Sequence, residues 1–472
     1  MLNVLQQGTK VAVHRHLKTS ETAFFVEGAL TGFSMRSCLM LMPEGLFTMA
    51  RQLPMRASLR RWCGSGFVPG RGSSGYRFLR GLGTVLRCMS PALFLRLRMG
   101  RTVNNNQQAF FELLRAGLWE KAARLFPFDG VDYVRVNRLA QEQSVVGLVA
   151  AGLEHVQDVK VPRDVALSFA GATLQFEHRN QAMNEFVAGL IERLKAAGVE
   201  ALLVKGQGIA QCYERPSWRA SGDIDLLLDD ENYIKAVDYL SGIAQKTEDE
   251  DAYKKHKSFV IDSWEVECHG TLRSVLWRRL DKGIDTVQAN TFANGSVRVW
   301  RNGATDVYIP AADSDVVFVF CHILQHFYKS GVGLRQICDW CRLLWTFRDS
   351  LSSELLLRRL SSMGALGEWR AFAALAVDYL GMPAEAMPLY SNSRRWRRKA
   401  VRILRLVFRT GNMGHNQDWS YVKRSPYLVR KAISFGRHCG AALRHLVIFP
   451  WHSAVVWWRA VLDGVAGVAR GI

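Results

Sequence analysis

Phe110, Phe111, Leu113, Leu114, Leu118, Trp119, Ala122 and Leu125 recur at three- and four-residue spacing, a helical stripe that Pro127 stops. A longer stripe runs through Val165, Phe169, Ala172, Phe176, Met183, Phe186, Leu190 and Leu194. It predicts a helix from about Arg163 to Ala197, with Gly198 as its C-terminal stop. The period then changes. Glu200–Val204 is a short apolar run of strand length that ends in Lys205-Gly206-Gln207-Gly208, and a brief helix follows through Tyr213, ending near Pro216. Asp223–Leu228 reads as a second strand, and Asp230 is placed to cap a helix carrying Ile234, Val237 and Leu240. Phe259–Ile261 and Trp264–His269 read as an antiparallel pair turning at Asp262-Ser263. From Asp313 to about Arg444 the pattern is helical again, in at least four segments.

These elements predict an α+β protein with a small mixed-sheet core between helical segments. The expected division is an N-terminal helical segment at 107–198, an α/β core at 199–311, a C-terminal helical domain at 312–445 and an apolar, Trp-rich tail at 446–472. Residues 1–106 show no sustained period and are rich in Arg, Gly and Ser, which predicts a basic, disordered extension. The chain of 472 residues is 49% apolar and 22% charged, which excludes a mostly disordered protein. Apolar runs are too short for a membrane span. Nine scattered cysteines lack the spacing of a disulfide framework, so a reducing, cytoplasmic setting is expected.

The net charge of +20 invites a nucleic-acid reading, but its distribution argues otherwise. Residues 1–106 carry 15 Lys and Arg against 3 acids, and residues 391–445 carry 14 against 1. The stretch between them, 107–390, is left with a net of −6. A groove tracking a phosphate backbone would set its cations beside the chemistry. That argues against nucleic acid at the core.

Three features of the core belong together. Glycines at 206 and 208 follow a strand and open a helix, where backbone N–H groups can meet an anion. Asp223 and Asp225 stand two apart in a strand, so their carboxylates share a face while Ile224 takes the other. Two adjacent carboxylates call for a cation, and oxygen donors suit Mg²⁺ or Mn²⁺. On the later strand Glu265, Glu267 and His269 share one face, and one of the two glutamates can complete a three-carboxylate site. The glycine run also imitates a dinucleotide fingerprint, but Pro216 arrives too early for a crossover helix.

The order Lys205-Gly206, Arg219, Asp223-Ile224-Asp225, Glu267-Cys268-His269 and the distal Gly331-Val332-Gly333-Leu334-Arg335-Gln336-Ile337-Cys338-Asp339-Trp340 resembles the uncharacterised bacterial nucleotidyltransferase family of the DNA polymerase beta-like superfamily. Gly411–Asn416 has the same family look, and the likeness runs from about Gln107 to Trp419. The resemblance implies that Asp223, Asp225 and Glu267 hold metal and that Glu267 orients or deprotonates the acceptor hydroxyl. It further implies that the Gly206–Gly208 backbone cradles phosphate, with Lys205 and Arg219 countering its charge. The implied reaction moves a nucleoside monophosphate from an NTP, ATP among them, to an acceptor hydroxyl with release of pyrophosphate. Besides a gap from Gly206 to Asp223 longer than in minimal members, one departure stands out: Gln207 occupies a place usually taken by glycine or serine. It motivates the alternative of a catalytically inactive nucleotide-binding or protein-partner module.

Other motifs have plainer readings. His322 and His326 suit a core or hydrogen-bonded pair, and Cys338 and Cys341 form a lone Cys-x-x-Cys within a helix. Arg335 and Asp339, four apart, are expected to form an intrahelical ion pair, with a substrate-side role for Arg335 as the alternative. Residues 394–409 form a basic amphipathic helix suited to peripheral contact with an anionic membrane or an acidic acceptor. The Trp-rich tail can dock on the core or rest at a membrane interface, and cannot span one.

Overall fold

The computed structural model describes residues 105–128, 130–251, 255–416 and 427–469, and two short strands, β1 (Val11–Val13) and β2 (Phe24–Val26), that pair antiparallel as a separate unit. Apart from these strands and the first residues of the opening helix, the expected extension at 1–106 lies outside the described residues.

Helices α1 (Asn105–Trp119), α2 (Tyr133–Glu142), α3 (Val146–Glu154) and the 34-residue α4 (Arg163–Ala196) precede the sheet. The first helix ends at Trp119 and not at Pro127, because Glu120 turns to a φ of 47°. The apolar spacing carries on past the turn because Ala123 and Leu125 are still buried, in a segment whose Ala123 N–H reaches the His155 carbonyl at 2.9 Å. Close approach of α1 and α3 depends on glycine. A Cβ on Gly117 would stand 1.9 Å from the Leu148 carbonyl oxygen, and one on Gly152 would stand 1.9 Å from that of Leu113.

The core follows as β3 (Leu202–Val204), α5 (Gly206–Ala210), β4 (Ile224–Leu227), α6 (Asp230–Ile243), β5 (Lys246–Thr247), β6 (His256–Ile261) and β7 (Trp264–His269). These strands form one mixed sheet in the order β3-β4-β7-β6-β5, in which only β4 and β7 run parallel. The β6–β7 hairpin turns at Asp262 and Ser263, both at positive φ, as the pattern predicts. Asp229, and not Asp230, caps α6, accepting from the Asn232 N–H at 2.8 Å. Two elements had no clear signal in the sequence: α7 (Arg278–Asn294) and a hairpin of β8 (Val297–Asn302) with β9 (Thr305–Pro310).

Among the described residues the helices α8 (Ala312–Lys329), α9 (Leu334–Thr346), α10 (Ser353–Met363), α11 (Leu366–Leu380), α12 (Arg394–Thr410), α13 (Tyr427–Leu446) and α14 (Pro450–Ala469) follow. The fold is thus α+β, mostly helical around a five-stranded mixed sheet. None of the helices in the described residues is long and apolar enough to cross a membrane.

Strand alternation divides the core in two. Leu203, Ile224, Leu226, Val266 and Cys268 face one way, onto the C-terminal half of α4 and onto α6. Leu202, Val204 and Leu227 face the other way, into a second cluster shared with α8, α9 and α11. Asp225 lies between Ile224 and Leu226, so its carboxylate is sent towards the C-terminal helices.

Gly152→Ala should therefore lose about 3 kcal/mol or more in urea unfolding, because two helix backbones must separate. Gly171→Ala, on an open face of α4 with nothing within 4 Å of its Cβ, should gain about 0.5–1 kcal/mol. Equal stabilities for the two variants would contradict the close-crossing account.

Candidate active site

The glycine turn is built on an unusual backbone. Lys205 has φ 58° and ψ −145°, a conformation rare outside glycine, and Gly206 follows at φ +40°. The bend drops the chain from β3 into α5 and aims the Lys205 ammonium at Asp225, with Nζ 2.7 Å from Oδ1. Gln207 is buried and turns away from the cleft, its Nε2 donating to Asn180 Oδ1 on α4 at 3.1 Å. Asn180 in turn donates to the carbonyls of Ser217 and Arg219 at 2.6 and 2.8 Å, which ties down the loop entering β4. Only the backbone of residue 207 is left for an anion.

The parallel register sets Asp225 directly beside Glu267 on the neighbouring strand. One carboxylate oxygen from each of Asp223, Asp225 and Glu267 lies within 4.8 Å of the other two. Glu265 is outside that group and exposed near the hairpin turn. Asp225 is 2% exposed, and His269 Nε2 sits 2.8 Å from its Oδ1 and 3.3 Å from Glu267 Oε2. His256 Nε2 adds a contact to Glu267 at 3.2 Å, with its ring 4.8 Å from that of His269.

Charge in this cluster is tightly coupled. The neighbouring Asp225 charge, followed by burial, raises the pKa of Asp223. Burial opposes ionisation of Asp225 and Glu267, yet Lys205 and His269 around Asp225, and His256 and His269 around Glu267, hold both below the ordinary range. Lys205 and His269 are likewise desolvated, but the carboxylates keep both more basic than usual. The all-oxygen donor set and the like-charge crowding at Asp223 fit a hard divalent cation such as Mg²⁺ or Mn²⁺.

The cleft is closed by the C-terminal helices, and here one expectation is corrected. Asp339 does not pair with Arg335 along the helix. It takes both arms of Arg219, Nε to Oδ1 and Nη2 to Oδ2 at 2.8 Å each, and also accepts from Tyr213 Oη at 2.8 Å. The long-range pair wins because Arg219 is 8% exposed and would otherwise be a buried, unpaired charge. Arg219 thus lines the cleft with its fork already engaged. Arg335 keeps one hydrogen bond, to the Ala220 carbonyl at 3.0 Å, while its Nε is buried without a partner. It shares the cleft with Lys205, Asp223, Asp225, His322 and Met413.

The distal motifs meet behind it. Gln336 Nε2 donates to Asn412 Oδ1 at 2.7 Å, Asn412 donates to Ser144 Oγ at 2.8 Å, and Gly333 has no room for a Cβ beside Asn412. His322 and His326 do form the hydrogen-bonded pair expected of them, Nε2 to Nε2 at 3.0 Å, but on the wall of this cleft.

With this geometry in view, the comparisons decide the family. The model of the family described as uncharacterised nucleotidyltransferase matches residues 129–381, more than half of the chain. The chain belongs to that family. No curated protein and no solved structure matches it. For this family member the sequence places His269 on the same face as Glu267 but gives it no role of its own. It also assigned Arg335 to an ion pair that Asp339 makes elsewhere, a choice invisible to helical spacing.

Asp339→Asn should destabilise the protein by about 3–5 kcal/mol, since it strands the Arg219 charge. The His326 imidazole is pushed down to about 4, by burial first and then by Lys205 and Arg335. An unfolded histidine titrates near 6.5, so falling pH protonates the unfolded chain first. The stability from His326 is therefore whole above about pH 6.5 and is lost as pH falls towards 4, by up to about 3 kcal/mol. Urea unfolding at pH 7, 6 and 5 should show a shallower decline for His326→Gln than for the parent.

Proposed function

We propose that this family member is an active, metal-dependent nucleotidyltransferase that passes a nucleoside monophosphate from an NTP to an acceptor hydroxyl. The observation that carries the reading is the three-carboxylate cluster beside a glycine turn, with its donor oxygens within 4.8 Å of one another. Asp223, Asp225 and Glu267 would hold the divalent cation, which when bound neutralises charge on the nucleotide phosphates. The N–H groups at Gly206–Gly208 meet phosphate oxygens, and Lys205 supplies a point charge. Arg335, with no acid at ion-pair distance among the described residues, offers its guanidinium to the outer phosphates, while Arg219 positions the loop through Asp339. The acceptor oxygen bonds to the α-phosphorus as the bond to the bridging oxygen of the β-phosphate breaks. The hydroxyl proton passes to Glu267, and pyrophosphate leaves.

A second reading, a nucleotide-binding or partner module without turnover, is favoured by one feature. Asp225 is already engaged by Lys205 and His269, so its charge is answered within the chain.

Thermal shift with each of the four NTPs, with and without Mg²⁺ or Mn²⁺, should show a metal-dependent rise in Tm for at least one. Pyrophosphate release should accompany it in the presence of an acceptor extract and fall by about 100-fold or more in Asp225→Asn. Arg335→Ala should raise the nucleotide KM by about tenfold, with Arg335→Lys recovering part of the loss. Nucleotide binding with no pyrophosphate, unchanged by Asp225→Asn, would leave the second reading standing. No shift with any nucleotide in folded protein would defeat the first reading and leave only a partner module of the second.

A further inference from the structure

Helix α12 buries Ala400, Ile403, Leu404 and Val407 and turns the opposite side to solvent. On that side Arg394, Arg398, Arg402, Arg405 and Arg409 are all exposed, at spacings of four, four, three and four residues. This is a single stripe along one helix face. The carboxylate paired with the helix, Asp378, is held by Arg397 on the flank, and none of the five stripe arginines has an acid within ion-pair distance among the described residues.

A second row lies alongside. The last two helices and the turn between them carry Leu443, Val447, Trp451, Trp458 and Leu462 at 52–76% exposure. Helix α14 is nonetheless seated. Its His452 ring stacks on Trp277 at 4.0 Å and reaches Glu368 at 2.5 Å, and Ser453 is buried. The exposed Trp451, Trp458 and Leu462 are seven and then four residues apart, on the face turned away from that contact. The two rows meet at the elbow, where Arg402 Nη1 donates to the Val447 carbonyl at 2.9 Å and Lys399 sits 4.3 Å from the Phe449 ring.

We infer that the arginine stripe of α12 and the tryptophan-leucine edge of α13–α14 form one surface that docks on an anionic lipid bilayer, lying on it and not crossing it. The two halves select this occupant together. A row of arginines answers phosphate headgroups, and Trp and Leu side chains on an otherwise seated helix match the boundary between headgroups and acyl chains. A nucleic acid would use the arginines and have no use for exposed aliphatic groups. The inference goes beyond nucleotide transfer and does not depend on it.

The test is co-flotation of the full chain with vesicles of phosphatidylcholine alone and with a third of the lipid replaced by phosphatidylglycerol, at low and high salt. Binding should favour the anionic vesicles by about tenfold or more and weaken with salt. Arg398→Gln with Arg405→Gln and Arg409→Gln should remove most of that preference. Arg402 is kept because it also holds the elbow. Trp451→Ala with Trp458→Ala should weaken binding by about tenfold, and parent tryptophan emission should shift to the blue on binding. Both variants alter exposed side chains, and unchanged Tm values would establish that they fold. Three results overturn the inference. One is vesicle binding that neither variant changes, which would assign it to the basic first hundred residues. Another is tighter binding to DNA or RNA, lost in the arginine variant alone. The third is a dimer in sedimentation velocity that the tryptophan variant dissolves.

Discussion

The buried pair of Arg219 and Asp339 is the joint on which the candidate site depends. Arg219 stands on the loop that delivers β4, and Asp339 stands on α9, 120 residues later. Two parallel hydrogen bonds fix both the distance and the plane of approach, which a single point charge would not. Tyr213 adds a third hydrogen bond to the carboxylate, and burial keeps its phenol firmly protonated. The pair sets how closely the C-terminal helices cover the acidic face. It also takes both oxygens of Asp339, and so leaves Arg335 in the cleft with no acid at ion-pair distance among the described residues.

On the facing wall the acidic cluster lives with its own crowding by the same logic. Three carboxylates this close cannot all be left bare in a low-dielectric cleft. Lys205 and His269 hold the most buried of them, Asp225, from two sides, while Asp223 at the strand entrance is the least compensated and the hardest to ionise. The strained backbone at Lys205 belongs to this arrangement, since a relaxed conformation would carry its ammonium away from Asp225. Strain of this kind persists where packing and hydrogen bonds over-determine the local chain, and here Gln207, Asn180 and the Ser217–Arg219 carbonyls do so.

Much of this was legible from the chain alone, because alternation and spacing act over a few residues. The Asp223-Ile224-Asp225 strand, the β6–β7 hairpin, the long helix before the core and the basic face of α12 each follow from local period and turn chemistry. That one glutamate of β7 can join the aspartates also follows from alternation, and the grouping picks Glu267, the one farther from the Asp262-Ser263 turn. Helix limits were less secure. Apolar spacing continued beyond Trp119 because Leu125 is buried from a non-helical segment, and burial by itself does not specify a backbone conformation.

Partner choice was decided only by the tertiary structure. Helical spacing offers Arg335 to Asp339, yet a buried Arg219 outbids it, because an unpaired charge costs most where water is excluded. Gln207 looked like a defect in an anion-binding turn until the packing of α4 gave its amide a partner in Asn180. His322 and His326 were correctly paired by their spacing, but only the docking of α8 against the sheet brings them to the acidic cleft. Local sequence determined which residues share a face. Which faces meet, and which charges are left unanswered when they do, was determined by the exclusion of water from contacts more than a hundred residues apart.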